Sequence, residues 1–317
     1  MTHRILLDTD MGTDVDDAMC LALALASPEI ELVAVTTVSG DTHHRAGISK
    51  RLLALAGRDD VPVYAGRGEP VTTGSSFAST GHEGEGILAE GDMPPSEAES
   101  GTDAIARLLR AHDDLELVAV GPMTNLAATL GTDPTLAKRV KQLTIMGGHV
   151  RGIEYGGFSF PFGIDYNLCS DRDASVRTLR ADVPTRLVTG DVTLQTWLRE
   201  EDLARLERSD APLLQALTRA IRVWSPLQNE IFSGFGANME ADNLAFLHDP
   251  LALACAYDES FCTFEQLAIE PTTQDDVFRS IERPPGAPGT REMRVATAVD
   301  ADRFRAHFVD RLLRLGD

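Results

Sequence analysis

Basic residues are scarce in this chain. Lys and Arg number 29 against 49 Asp and Glu, a formal net charge of −20, and lysine occurs only at Lys50, Lys138 and Lys141. A surface of that sign repels phosphate backbones and no basic cluster offsets it, which argues against nucleic acid as a partner. Cysteine is sparse too. Cys20, Cys169, Cys255 and Cys262 show neither CxxC nor zinc-type spacing, and Cys20 and Cys255 fall in Ala- and Leu-rich helical patterns where a thiol packs as a small core group. A reduced, intracellular protein is the expectation. Long apolar runs are missing as well. "LALALAS" (21–27) falls short of the roughly 18 residues a membrane span needs. "MTHRILLDTD" begins a strand at once and leaves no room for a signal peptide's charged and apolar regions. These absences together predict a soluble cytoplasmic protein without a membrane partner.

What the chain has in quantity is short runs of Val, Leu and Ile alternating with helical patterns. "RILLD" (4–8), "IELVAVTTVSG" (30–40), "VPVYAG" (61–66), "LELVAVG" (115–121), "QLTIMGG" (142–148) and "TRLVTGD" (185–191) form the strand series. Helices are expected at Asp16–Ser27 and near His44–Ala56, in the intervals between them. Apolar runs without polar alternation suit strands covered on both faces, hence a mainly parallel sheet. The prediction is an α/β fold: an open, mainly parallel, doubly wound (Rossmann-like) sheet with helices on both faces. Such sheets bind ligands beyond the carboxyl ends of their strands. No repeat, low-complexity tract or linker divides residues 1–317, which read as a single domain. Two irregular stretches, 66–86 and 147–167, are long enough to be functional loops. The second carries Tyr155, Phe158, Phe160, Phe162 and Tyr166 and is not the composition of a disordered segment. "ERPPGAPGTR" (282–291) reads as a plain connector.

The first strand ends in "LLDTDMGTDVDDAM", which places Asp8, Asp10, Asp14, Asp16 and Asp17 within ten positions. Like charges this close raise one another's pKa unless a cation sits among them. A strand ending at Asp8 carries Asp8 and Asp10 to the sheet's C-terminal edge, on the same side because strand residues alternate. Asp14 or Asp16 suits an N-cap of the next helix. Caps do not need five carboxylates, and hard oxygen donors without His or Cys favour Ca2+ or Mg2+ over zinc. An EF-hand fails: its glycine position is Thr13 and its terminal glutamate position is Met19. A Mg2+-dependent phosphatase of the haloacid-dehalogenase type fits "LLDTDMGT" better, with Asp8 as nucleophile and Asp10 as acid/base. That reading needs Lys138 or Lys141 to hold the phosphate, and it leaves Asp16 and Asp17 without work.

Six motifs in order, "DTDMGTDVDDA", "VTTVSGD", "VGPMTNLA", "MGG", "DYN" and "HDPLALA", make the chain resemble the nucleoside hydrolases, the inosine–uridine-preferring N-ribohydrolases. The resemblance runs from residue 5 to about residue 255, and "RVATAVDADRFRAHFVDRLL" near the end is similar too. It implies Ca2+-dependent hydrolysis of the N-glycosidic bond of ribonucleosides to free base and ribose. The implied Ca2+ ligands are Asp10, Asp17, the carbonyl of Thr124, and Asp249. Asp10 would be the base for a metal-bound water, and His248 would protonate the departing base. Asp16 would accept from a ribose hydroxyl, Asp165 would meet the 5′-hydroxyl, and Asn167 the ribose diol. Asp41 and His82 would lie near ribose or base. Homo-oligomers, dimeric or tetrameric, are usual in the family. The chemistry is coherent from below, because breaking an N-glycosidic bond builds positive charge on ribose that carboxylates stabilise.

The chain also departs from the family pattern. Its aspartate loop has two extra residues, Asp165 stands where Glu is common, and Asp41 where Asn is common. The aromatic loop lacks the family's Asn, with Ser159 or a neighbour there instead. Plainer roles compete at several positions. Thr124 or Asn125 suits a helix cap, Asp41 caps the next helix, His82 is an exposed loop residue, and Ile221, Trp224 and Leu227 share a core face. A non-catalytic ribose or nucleoside binder is the remaining alternative. It would keep Asp17 and Asp249 but would not need Asp10 or His248.

Overall fold

The computed structural model describes residues 2–89, 91, 93–160 and 165–316. Its main sheet has nine strands: β1 (His3–Thr9), β2 (Ile30–Thr37), β3 (Val63–Ala65), β4 (Leu115–Ala119), β5 (Gln142–Met146), β6 (Thr185–Val188), β7 (Cys262–Gln274), β8 (Val277–Arg283) and β9 (Arg291–Val299). Their order across the sheet is β8-β7-β9-β6-β5-β4-β1-β2-β3. From β3 to β9 every neighbouring pair is parallel. The expected doubly wound α/β sheet is therefore present, with its helices on both faces.

Burial explains the strand composition. Ile5, Leu6 and Leu7 are all fully buried, because β1 lies mid-sheet and alternate side chains enter opposite cores. Ile5 and Leu7 pack with Met19, Leu21, Leu217, Leu251, Phe304 and Phe308 on one face. Leu6 packs with Ile105, Leu126, Leu143, Leu179 and Phe278 on the other. The Asp16–Ala26 helix has no solvent face over most of its length, since the His248–Tyr257, Ala301–Leu313 and Thr42–Leu55 helices all pack on it. "AMCLALALA" is apolar all round for that reason.

The sheet is not parallel throughout. The first half of β7 pairs antiparallel with β9, and its second half antiparallel with β8. Residues 284–290 are the connector expected, and they carry the chain from one side of β7 to the other. The 147–167 stretch holds a two-stranded hairpin, Ile153–Tyr155 with Phe158–Phe160. Gly156 and Gly157 turn it with φ of +58° and +79°, the left-handed pair that a two-residue hairpin turn requires. Phe162 lies outside the described residues. Among the described residues, no helix is long and apolar enough to cross a membrane.

Phe278, on the outermost strand, is fully buried in the second core. Phe278→Ala should cost about 3–5 kcal/mol, read as a lower urea midpoint in one cooperative transition. An unchanged midpoint would mean that the antiparallel edge unfolds apart from the parallel sheet.

Candidate active site

The strand order reverses direction between β1 and β4, so the first crevice at the carboxyl ends opens there. The residue after β1 is Asp10, and β4 is followed by "VGPMTN". Asp8 and Asp10 do not share a task, contrary to the strict alternation expected. β1 ends at Thr9, and only Asp8 is held by the sheet. Asp8 is buried, and its Oδ1 accepts from Thr36 Oγ1 at 2.6 Å and Asn125 Nδ2 at 2.8 Å. Burial outweighs those donors and pushes its pKa up to about 7. It pins β2 and the Thr124–Thr132 helix to β1, which leaves it poorly placed as a phosphatase nucleophile. Lys141 bonds Glu116 at the amino ends of β4 and β5, the wrong end of the sheet for a phosphate site.

The other aspartates crowd the start of the Asp16–Ala26 helix. Its N-cap is Val15, without a side-chain cap. Asp14 Oδ1 instead accepts from the Val15 and Asp16 amides at 2.5 and 3.3 Å, and Asp16 Oδ1 from the Asp17 amide at 3.0 Å. Thr9 Oγ1 donates to Asp17. Helix N–H groups thus stabilise several of the crowded carboxylates. Asp249 lies in the first turn of the neighbouring His248–Tyr257 helix. Asp16, Asp17 and Asp249 are all buried, and each offers a carboxylate oxygen within 4.8 Å of the others. Burial first, and then repulsion from neighbouring aspartates, lifts all three well above the usual carboxylate range. Asp10 is raised to about 6 by burial, with the Arg45 guanidinium opposing the rise. Asp16 therefore converges with Asp17 and Asp249, alongside the Asp10 that the sequence suggested.

Thr124 and Asn125 are not helix caps. Thr124 Oγ1 donates to Asp171 at 2.8 Å, while Asn125 bridges Asp8, the Thr37 carbonyl and the Arg67 amide. Asp171 is fully buried and also accepts from Val71 N, Thr72 N and Thr72 Oγ1 at 2.7–3.0 Å. It ties the 66–86 loop to the helix that carries Thr124. Asn167 Nδ2 donates to the carbonyls of Val120 and Met146, holding β4 and β5 at their carboxyl ends. Asp165 caps the next helix through Leu168 N at 2.8 Å. Its Oδ2 is buried without a partner among the described residues.

Asp41 caps the Thr42–Leu55 helix, accepting from His44 N at 3.0 Å, and is exposed. His82 Nε2 donates to the Thr13 carbonyl at 2.7 Å, and its ring lies 5.8 Å from that of Trp224. Asp14, His82, Gly84 and Trp224 together line a narrow crevice beside the aspartates. His248 places Nδ1 2.6 Å from Thr193 Oγ1, with Phe246 5.0 Å from its ring. Burial, and then the nearby His149, pushes its pKa down to about 3, so the ring is neutral at pH 7.

Several residues of this region carry no local signal in the sequence. His149 is buried, and its Nε2 would lie 2.1 Å from a Cβ at position 190, which is Gly190. It also opposes the rise that burial imposes on Asp165. Farther out, Trp224 Nε1 donates to Gln228, Gln228 to Asn243, and Asn243 to Tyr155 OH, at 2.9–3.2 Å. That chain of bonds joins the Pro212–Gly234 helix to the aromatic hairpin.

Residues 5–306 match the model of the inosine-uridine preferring nucleoside hydrolases. The chain belongs to that family. It is 28% identical over 282 residues to the pyrimidine-specific ribonucleoside hydrolase RihA of Shewanella woodyi, covering 87% of this chain and 86% of RihA. It is 25% identical to uridine nucleosidase 1 of Arabidopsis thaliana, over 86% and 79% of the two chains. Among solved structures, a plant nucleoside hydrolase superposes with a TM-score of 0.84 at 26% identity. A purine-preferring ribonucleoside hydrolase from Gardnerella vaginalis gives 0.82 at 27%, and both cover 99% of each chain. The chain is accordingly an N-glycosidase acting on ribonucleosides.

Asp171→Ala should destabilise the protein by about 3 kcal/mol or more, because several buried donors lose their acceptor together. Chemical denaturation reads this directly. A loss under about 1 kcal/mol would mean that water replaces the carboxylate and that the loop is anchored elsewhere.

Proposed function

We propose that the chain hydrolyses the N-glycosidic bond of ribonucleosides in a Ca2+-dependent reaction, with Asp10 as the base. One observation carries this reading: buried carboxylates of Asp16, Asp17 and Asp249 converge within 4.8 Å, with Asp10 close enough to repel them. The converging ligand atoms are all carboxylate oxygens, with one guanidinium for countercharge, a donor set suited to a hard divalent cation. Asp10, Asp17, Asp249 and the carbonyl of Thr124 would hold it. Bound there, Ca2+ would neutralise the crowded carboxylates and fix the ribose diol against them.

The remaining work falls to this chain's own groups. Asp10 takes a proton from the attacking water as the base departs. Asp16 accepts from a ribose hydroxyl. Asn167 has its amide hydrogens on the Val120 and Met146 carbonyls, which leaves Oδ1 to accept from the diol. Asp165 Oδ2, without a partner among the described residues, accepts from the 5′-hydroxyl. The carboxylates together stabilise the positive charge that grows on ribose. A hydroxyl proton from Thr193 on Nδ1 leaves the His248 proton on Nε2, from which it bonds the departing base. His82, and Asp41 in the loop after β2, are the proposed flanking contacts. The same reading takes residues 1–317 as one domain acting in the cytoplasm as a homo-oligomer, in line with the continuous sheet and the family resemblance.

Ribose release from inosine, adenosine, uridine and cytidine, before and after strong chelation, tests the proposal. Activity should vanish with chelation and return with Ca2+. Activity that ignores chelation would remove the metal from the reading. In a second test, Asp10→Ala should retain a cooperative melt and lose turnover by at least about a hundredfold. His248→Ala should slow natural nucleosides by about a hundredfold and spare a nitrophenyl riboside, whose stable phenolate departs without a hydrogen-bond donor. Equal losses on both substrates would give His248 a different role.

A further inference from the structure

Arg45 is a cation buried beneath the acidic cluster, with 3% of its surface exposed. It sits in the first turn and a half of the Thr42–Leu55 helix. Nε donates to the Ser39 carbonyl at 2.6 Å. Nη1 donates to the carbonyls of Asp10 and Met11, and Nη2 to Thr13 Oγ1 at 2.9 Å. Four of the five N–H groups of a guanidinium are thus engaged. Among the described residues, none of the acceptors is a carboxylate. Burying a charge is costly unless it is compensated, and here compensation comes through space from Asp10 and Asp17, whose charged forms Arg45 favours.

The contacts have a pattern. Asp10, Met11 and Thr13 belong to the loop that delivers Asp10, Asp14, Asp16 and Asp17. Ser39 belongs to the loop after β2 that delivers Asp41. Ser39 holds φ at +76° although it is not glycine, a conformation that costs about 1–3 kcal/mol unless its surroundings enforce it. Its carbonyl is bound by Arg45 and its amide donates to the Arg67 carbonyl at 3.0 Å.

We infer that Arg45 is a positioning residue for the reaction: its planar fork clamps the β1 and β2 loops together and sets the direction in which the aspartates face the cation and the ribose. The inference rests on the metal reading given above. Position and charge make opposite predictions. If Arg45 acts only as a charge, removing it relieves repulsion toward a bound cation and tightens Ca2+ binding. If it positions the loops, removing it weakens Ca2+ binding despite the gain in net negative charge.

Calorimetric titration of Ca2+ into wild type, Arg45→Met and Arg45→Lys, with melting curves in chelator, separates the two. The expected result is a Kd raised about 10–100-fold in both variants, since lysine keeps the charge and loses the fork. Arg45→Ala should also recover part of its kcat when guanidinium chloride is added at concentrations that leave the fold intact. Tighter binding in Arg45→Met, with a wild-type Kd in Arg45→Lys, would overturn the inference in favour of charge alone. Lower melting temperatures with unchanged Kd and no rescue would reduce Arg45 to a structural residue. Should wild type bind no Ca2+, the metal reading falls. Guanidinium rescue of kcat in Arg45→Ala then decides for Arg45, and its absence decides against.

Discussion

Repulsion among buried carboxylates at one end of the sheet is the constraint around which the rest of this molecule is arranged. Unit charges 4.8 Å apart repel by roughly 3–4 kcal/mol at an effective dielectric of about 20, and several such pairs meet here. The fold meets that cost with oriented partners rather than with a ring of cations. Amides of the Asp16–Ala26 helix, hydroxyls of Thr9 and Thr36, the Asn125 amide and a single guanidinium share the task. What they leave uncompensated is an affinity for a divalent cation and for a ribose that becomes positive.

The sheet supplies the place. With β1 and β4 adjacent and the chain leaving them toward opposite sides, loops from β1, β2, β4 and β5 all end at one crevice. The two central helices, Asp16–Ala26 and His248–Tyr257, point their first turns there, so Asp17 and Asp249 meet although 232 residues separate them. Apolar packing on both faces of β1 makes that arrangement rigid. A loosely packed sheet would let the like charges move apart.

Legibility in the sequence followed the range of the interaction. Val- and Leu-rich runs announced the parallel strands because burial on both faces is a local demand on each segment. The aspartate loop announced itself because its oddity lies within ten positions. The hairpin at 153–160 had a readable signal in "EYGGFSF", whose paired glycines suit a left-handed turn, yet the long irregular stretch around it obscured the strands. Asp171, His149 and Arg45 had no such signal. Apart from a few local bonds such as Arg45 to Ser39, their partners lie 32–131 residues away, and an isolated Asp, His or Arg looks like any surface residue until the fold brings its acceptors or donors to it. The antiparallel edge was missed for a related reason, since pairing direction is set by where a strand docks and not by its own residues.

The bonded series Trp224–Gln228–Asn243–Tyr155 has a consequence for how this enzyme can diverge. Gln228 and Asn243 are both buried, and each uses its amide to serve a neighbour on either side. No member can change its hydrogen-bonding character without stranding the next one. Substitution at Trp224, which lines the crevice beside the aspartates, is therefore coupled to substitution in the aromatic hairpin that carries Tyr155. The two segments are inherited as one unit, although Tyr155 and Trp224 stand some seventy residues apart in the chain.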